Sequence, residues 1–493
     1  MVILKIACFR ENARNARGDF MKKIMQMFLC VAGICLCVVG TGELTQAAFE
    51  KTEINEKNFS WYLLEKAKQL DKNGDGYLSK KEASVLTSIW IENLKQDIDS
   101  FKGIEYFTNL EEFYFRGHGG CSGDEEEGAG ADLVQATIAR LDLHGLSKLK
   151  SVSIESADYL KNLNLKGCTK LKELYISGAS LKKLNVSGCS RLKSIQNISG
   201  ENSIKKLDLS GMKELQSFDW WIVEGEKVSF DFSNCPKLEN IGIKGKLKFL
   251  NLDGCGSLKQ LSLDTDLVKK IDLSGMKKLT SLGIRSNVIK TLDLSNNKAL
   301  VKLELQTPRL SSFDLSSQTK LEYLSCYKMP KLKKIDITMC ENLNRIELDT
   351  CGLTKLDVSK NKKLVWLTAS NLKLTELNLK KNKDLEHLDC YNNQIQDLNL
   401  KKNTKLKRAY CSKNILTRLQ LGNNKKLKVL QCADTDIAGL DLQKCVNLKG
   451  LVCNNTNIRE LDLSATKIKK RCNVGDSGYG VICDEKVNII FVQ

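Results

Sequence analysis

A unit of 21 residues recurs without a slip through residues 343–463, and this regularity limits the fold more than any other feature of the chain. Its first arm, of the form L-x-x-L-x-[LAC], starts at Leu343, Leu364, Leu385, Leu406, Leu427 and Leu448. A second arm follows in each unit, as LTKLDVSKN from Leu353, LTELNLKKN from Leu374 and IQDLNLKKN from Ile395. Two short apolar-alternating arms per period predict two strand-like segments per coil. One such coil cannot bury its apolar face alone, so neighbours must stack into a solenoid.

The ninth residue of the second arm is asparagine in successive units: Asn361, Asn382, Asn403 and Asn424. A side-chain amide there suits the backbone groups of adjoining coils, where the chain turns and regular pairing stops. Arms of the type L-x-x-L-x-L-x-x-[N/C] resemble the leucine-rich repeat motif, and the resemblance spans roughly residues 110–463. It implies an α/β solenoid: a leucine-rich repeat superhelix with a parallel β-sheet, a helical N-terminal cap and a β-type C-terminal cap. Further first arms start at Leu110 and Leu149, and from Leu171 to Leu321 they follow at spacings of 20 to 23 residues, which makes sixteen units in all. At roughly 4.8 Å per coil the array runs on the order of 75 Å.

Two stretches break the period. Between Leu110 and Leu149 the excess is GHGGCSGDEEEGAGAD, too rich in glycine and acid to pack, hence an expected exposed excursion. In FDWWIVEGEKVSF, Trp220 and Trp221 either stand on the surface as a partner-binding clue or fill an irregular coil.

Upstream of the array, residues 71–82 fit the twelve-residue calcium loop position by position. Asp71, Asn73, Asp75, Ser79 and Glu82 place oxygen donors at positions 1, 3, 5, 9 and 12, the Tyr77 carbonyl serves position 7, and Gly76 permits the turn. Flanking segments NFSWYLLEKAKQL and KKEASVLTSIWIENL carry apolar residues at helical spacing. The loop resembles an EF-hand or dockerin-type site. A single copy implies one Ca2+ that fixes a helical cap at residues 48–109 instead of signalling.

Residues 1–47 have the order of an export signal, with Met21 a candidate start: Met21-Lys22-Lys23, an apolar run, then Thr45-Gln46-Ala47 before the cleavage point. The product is therefore expected to be secreted or surface-associated, with no transmembrane anchor after processing. Lys and Arg exceed Asp and Glu by 18. That excess either solubilises outward positions or attracts an anionic partner such as a wall polymer. It concentrates in the second arms, as LKKLNV, IKKLDL, VKKIDL and LKKIDI, beside an acidic column of Asp208, Asp272, Asp293, Asp314, Asp336 and Asp357. Stacking makes this a flat, polar, repetitive face that recognises by area and charge.

Fifteen cysteines follow the leader. Cys390, Cys411, Cys432 and Cys453 share the sixth position of the first arm, which points inward, and Cys168, Cys189, Cys235, Cys255, Cys340 and Cys445 take the asparagine position of the second. Parallel strands aim their Cβ bonds alike, which strains a disulfide, so these are expected as buried thiols. Residues 464–493 change to glycine turns and β-branched strands, a β cap in which Cys472 and Cys483 are the best-placed pair for a bridge.

With its caps, the chain looks most like internalin-type surface proteins of bacteria. This implies a non-enzymatic scaffold that binds a protein or cell-surface glycan on its repeat face, without nucleic acid. No LPxTG-like signal follows the array, so any hold on the wall is expected to be non-covalent. The alternative is a calcium-dependent parallel β-helix polysaccharide-degrading enzyme. Against it, only His118, His144 and His387 are present and no carboxylate cluster with a nearby base interrupts the repeat.

Overall fold

The computed structural model describes residues 51–53, 70–75, 77–91, 100–117, 137–200, 202–222, 226–472 and 480–491. The expected leader, the helix expected before Leu70, and the acidic insertion at 118–136 lie outside the described residues.

First arms form strands that pair in parallel into one long sheet. In Arg345–Asp349, Ile346 and Leu348 are buried while Arg345, Glu347 and Asp349 face out. Apolar residues align from coil to coil: Ile346 pairs with Leu367, Leu367 with Leu388, Leu388 with Ala409 and Ala409 with Leu430. A one-residue slip would turn this whole row to solvent, so burial fixes the register. All sixteen expected units contribute a strand, from Glu112–Arg116 to Gly450–Val452, and one more strand lies at each end. Ser88–Ile91 bonds to the first of them and Val481–Ile482 to the last. No register joins those two end strands among the described residues, so the sheet is open at both ends.

The C-terminal segment is β, as expected, whereas the described part of the N-terminal end holds little of the expected helix. Among the described residues of the expected cap, Lys80–Ala83 forms one helical turn and Ile104–Tyr106 a 3-10 turn, and between them the chain enters Ser88–Ile91 as a strand. The stretch Leu86-Thr87-Ser88-Ile89-Trp90-Ile91 is itself a first arm. Its apolar spacing suits a helix face or a strand; the open sheet edge decides, because pairing with Phe113 and Phe115 buries Ile89 and Ile91. At the other end, Val481–Ile482 extends the long sheet and Asn488–Ile490 pairs with Glu460–Asp462, so this segment adds a further coil. Cys472 and Cys483 are free thiols, not the expected bridge.

Some second arms form short parallel ladders on the other side of the coil, while those from Val268 to Leu379 run on without forming a strand, so two strands per coil hold only in part. One joins Arg140–Asp142, Asn162–Asn164 and Lys183–Asn185, and another joins Lys206–Asp208, Val228–Asp231 and Leu247–Asn251. Where these arms end, a polar spine ties coil to coil. Asn382 Nδ2 donates to the carbonyls of Val358 and Asn361, both at 2.9 Å, and Asn403 Nδ2 donates to those of Leu379 and Asn382 at 3.1 and 2.8 Å. Asn297 and Gln318 do the same further up the array. Cysteine fills the identical role: the Sγ of Cys168, Cys189 and Cys235 donates to the carbonyls of Leu143, Leu165 and Leu209 at 3.1, 3.1 and 3.2 Å.

After the long-sheet strand the chain turns through a left-handed residue in each of six consecutive units, at Thr350, Asn371, Asn392, Lys413, Asp434 and Asn455, with φ between 53° and 55°. Asn and Asp enter that region at little cost. Asn392 and Asn371 also bond side chain to side chain at 2.9 Å.

Cys390, Cys411, Cys432 and Cys453 are fully buried, as their inward register predicts. Burial raises all four thiols, Cys432 to about 12. Because the thiolate is the nucleophile, all four are expected to resist alkylation in the folded chain and to react together once it unfolds. Peptide mass mapping after a native iodoacetamide pulse checks this; rapid labelling of the set would place the ladder on the outside.

Candidate binding faces

The two arms present two different surfaces. On the second arms, the acidic column does not stand free as a recognition surface, as expected from the sequence; it caps turns. Asp336 Oδ1 accepts from the Thr338 backbone N–H at 2.9 Å and from its hydroxyl at 2.7 Å, and Asp314 and Asp357 accept from the N–H groups of Ser316 and Ser359, both at 2.8 Å. These bonds hold the three carboxyls below the usual range. A depressed folded pKa adds stability above the unfolded value of about 3.9, and that stability fades as pH falls through the folded value. Asp336→Ala is therefore expected to lower the melting temperature at pH 7 and to match the parent near pH 2. A deficit that persists in acid would mean that the carboxylate charge contributes nothing.

On the long sheet, outward positions in the first half mix small residues, Ser151, Ser153, Ser194, Ser217, Gly242 and Ser262, with charged ones and with the rings of Tyr175 and Trp221, and Tyr114 stacks on Trp90 at 3.9 Å near the N-terminal end. Between residues 302 and 410 the same columns become bulky. Tyr323, Arg345, Trp366, His387 and Arg408 succeed one another at the first strand position. Trp366 and His387 stack at 3.7 Å, His387 meets the Tyr410 ring edge-on at 5.4 Å, and the Arg345 guanidinium lies 4.6 Å from the Trp366 ring and 5.6 Å from that of Tyr323. Glu347 ties the patch together, accepting from Tyr323 Oη at 2.8 Å and Arg345 Nη2 at 2.6 Å.

The electrostatics of the patch follow from its packing. Burial, with Arg408 and Arg345 nearby, brings the His387 imidazole down to about 4, so it stacks as a neutral ring at physiological pH. Burial raises Asp389, which accepts from the Ser370 hydroxyl at 2.7 Å. Burial and the neighbouring Glu347 push the Tyr323 phenol far up, so it remains a donor. Held by stacking and shared bonds, these side chains lose little freedom when a partner arrives.

Sequence reasoning missed this patch because it followed the second arms. The signal lies in the outward position of the first arm, and it shows only when units are compared down a column. The paired tryptophans divide between the two faces of one strand: Trp220 is fully buried against Phe218 and Phe230, while Trp221 is exposed with Lys244 over its ring at 4.7 Å.

In the calcium-loop segment, Lys72 N–H donates to Glu82 Oε1 at 3.1 Å, which brings the second and last loop positions together. Asp71 and Asn73 both accept from the Asp75 N–H, at 3.2 and 3.1 Å, and Glu82 with Ser79 closes a capping box on Lys80–Ala83. Gly76 and the Tyr77 side chain lie outside the described residues. Among the described residues no three His, Cys, Asp or Glu side chains converge on one metal position. The donors are all hard oxygens on a loop already bent around its first carboxylate, a fit in donor chemistry for Ca2+.

The long parallel sheet, the second-arm ladders and the polar spine define a leucine-rich repeat solenoid. Its architecture resembles the functional domain of InlJ from Listeria monocytogenes, whose structure includes a cysteine ladder, at 22% identity and a TM-score of 0.54 over 85% of this chain and 79% of that one. It also resembles a leucine-rich repeat protein of Leptospira interrogans, at 18% identity and a TM-score of 0.51 over 64% of this chain and 90% of that one. Neither a family model nor a curated protein matches the sequence. No helix among the described residues is long and apolar enough to cross a membrane.

Proposed function

We propose that this chain is a secreted or surface-associated bacterial scaffold, non-enzymatic, that binds a protein partner through the long sheet. The observation that carries the reading is the ordered patch of Tyr323, Arg345, Trp366, His387 and Tyr410, where aromatic and arginine side chains succeed one another in contact over five consecutive coils. Tyr, Trp and Arg are the side chains that carry most binding energy at protein interfaces. The test is capture of cell-surface proteins by the purified chain, with Trp366→Ala/Tyr410→Ala in parallel. A captured protein should lose at least about tenfold in affinity for the variant, since each hot-spot residue is worth about 2 kcal/mol. Equal affinity for both chains would remove the patch from the interface.

Export is part of the same proposal and rests on the order of residues 21–47. The mature N-terminus should fall near Ala48; a leader found intact by N-terminal sequencing would remove the secreted reading. In the loop, Asp71, Asn73, Asp75, the Tyr77 carbonyl, Ser79 and Glu82 would hold one Ca2+, whose role is to stabilise the N-terminal end of the array. Single extracellular sites bind at about 10⁻⁴ to 10⁻³ M, and calcium at a hundred times Kd adds about 2.7 kcal/mol. Calorimetric titration and proteolysis near residues 60–105, for parent and Glu82→Gln, test this. Absence of binding heat at millimolar calcium in the parent would leave Glu82 as a helix cap alone.

A further inference from the structure

The calcium-loop segment is tied to a stretch of chain upstream of it. Lys51–Glu53 pairs antiparallel with Tyr77–Ser79, in the register Lys51 with Ser79, Thr52 with Leu78 and Glu53 with Tyr77. The two strands make a sheet of their own, apart from the long sheet. Tyr77 and Ser79 stand at positions 7 and 9 of the loop, so the paired strand carries two of the oxygen donors the loop pattern requires, the Tyr77 carbonyl and the Ser79 hydroxyl.

The other hold on this strand is Glu82. Ser79 N–H and Ser79 Oγ donate to Glu82 Oε2 at 2.9 and 2.6 Å, and Lys72 N–H donates to Glu82 Oε1 at 3.1 Å. A carboxylate offers about four lone-pair sites, and these bonds occupy all but one. Glu82 therefore cannot serve as the bidentate last ligand of a cation and keep every bond; Ser79 or Lys72 must give way. The pairing with Lys51–Glu53 is then the restraint on positions 7 to 9 that does not compete with ligation. The first half of the loop holds itself without that strand, because the Asp75 N–H is shared by Asp71 Oδ1 and Asn73 Oδ1 at 3.2 and 3.1 Å.

A separate two-stranded ribbon is marginal by itself in water, and a chain terminus frays unless a sheet ties it down. On the export reading the mature chain begins near Ala48, immediately before this ribbon. We propose that Lys51–Glu53 is the second half of the calcium site. It supplies no ligand; as a positioning strand it fixes the backbone that presents the Tyr77 carbonyl and Ser79. By linkage, the factor by which the strand raises calcium affinity is the factor by which calcium favours the strand, so calcium fastens the new N-terminus to the entry of the array. The inference rests on the calcium reading of the loop and adds to it a segment outside the twelve-residue pattern.

The test is calorimetric titration of calcium into the chain that starts at Ala48 and into one that starts at Ile54. The shorter chain should bind about fivefold or more weakly, the low end of ordinary coupling between sites, with the calcium-free melt of the array the same for both. Lys51→Gln/Glu53→Gln changes the charges and keeps the backbone, and should bind as the parent does. In the parent, saturating calcium should slow amide hydrogen exchange at residues 51–53 by a similar factor, and Glu82→Gln should abolish the slowing. Equal calcium affinity of the two chains overturns the proposal, and so does exchange at 51–53 that is indifferent to calcium in a parent that binds it. A loss in the double-Gln variant as large as in the truncation also overturns it, since charge and not pairing would be responsible. A parent that binds no calcium at all removes the calcium reading itself, and this inference with it.

Discussion

Asn382→Asp is expected to destabilise the array by about 3 to 5 kcal/mol at pH 7, the range for an uncompensated charge held in a protein interior. The exchange keeps shape and volume. It removes the Nδ2 donor that serves the Val358 and Asn361 carbonyls at 2.9 Å and points a carboxylate at both of them. Those carbonyls retain their own-turn bonds from the Asn361 and Leu364 N–H groups at 3.1 Å, so the damage is electrostatic more than a loss of pairing. Burial beside two acceptors would raise the variant's folded pKa above the unfolded value, so the protonated acid is favoured in the fold. Stability should recover as pH falls and decline as pH rises through that folded pKa. Asn382→Cys is the control, because Cys168 and Cys189 already serve the spine with Sγ donors; it should cost about 1 kcal/mol. Urea unfolding at pH 4 and pH 7 measures all three chains. Equal stability of the aspartate variant and the parent at pH 7 would mean that the spine donors are dispensable. Since repeat stability depends on nearest-neighbour coupling, the aspartate variant is also expected to unfold in two steps.

Trp220→Ala is expected to cost about 3 to 5 kcal/mol, the usual range for emptying an aromatic site in a packed core. Trp220 is fully buried, stacked near Phe218 at 5.7 Å and edge-on to Phe230 at 5.9 Å. Its indole Nε1 is buried without a hydrogen-bond partner among the described residues. Trp220→Phe should therefore come close to neutral, because the lost volume is offset by removal of an unpaired donor. Trp221→Ala, one residue on, loses only an exposed contact with Lys244 and should change stability by less than about 1 kcal/mol. Denaturant midpoints of the three variants check the order; comparable losses at 220 and 221 would contradict the assignment of the two side chains to opposite faces.

The repeat was legible in the sequence because each unit restates the same burial problem. A leucine that must face the core at Leu343 must do so again at Leu364 and Leu385, and sixteen repetitions leave little room for another period. The inward thiols at Cys390 to Cys453 followed from the same logic. What was not legible depended on neighbours in space. Residues 86–91 satisfy a helix and a strand equally well, and only the waiting edge of Glu112–Arg116 selects the strand. The acidic column looked like a surface because its donors, the N–H groups two residues on, are invisible until the turn is formed. The aromatic patch was hidden for a related reason: Tyr323, Trp366 and Tyr410 are far apart along the chain and adjacent only across coils.

The direction of the spine bears on how such a chain changes length. Every donor reaches back to the coil before it, and Asn382 leans on Asn361 as Asn403 leans on Asn382. Excising one whole unit leaves each remaining donor facing an acceptor of the same kind, whereas excising part of one strands a donor and shifts the sheet. Duplication and loss of whole units are therefore invisible to the core, while smaller indels must be taken up in the turns, as the 20- to 23-residue spacings of the earlier units show. The number of coils is free to drift, and with it the spacing between whatever binds at one end of the array and whatever binds at the other.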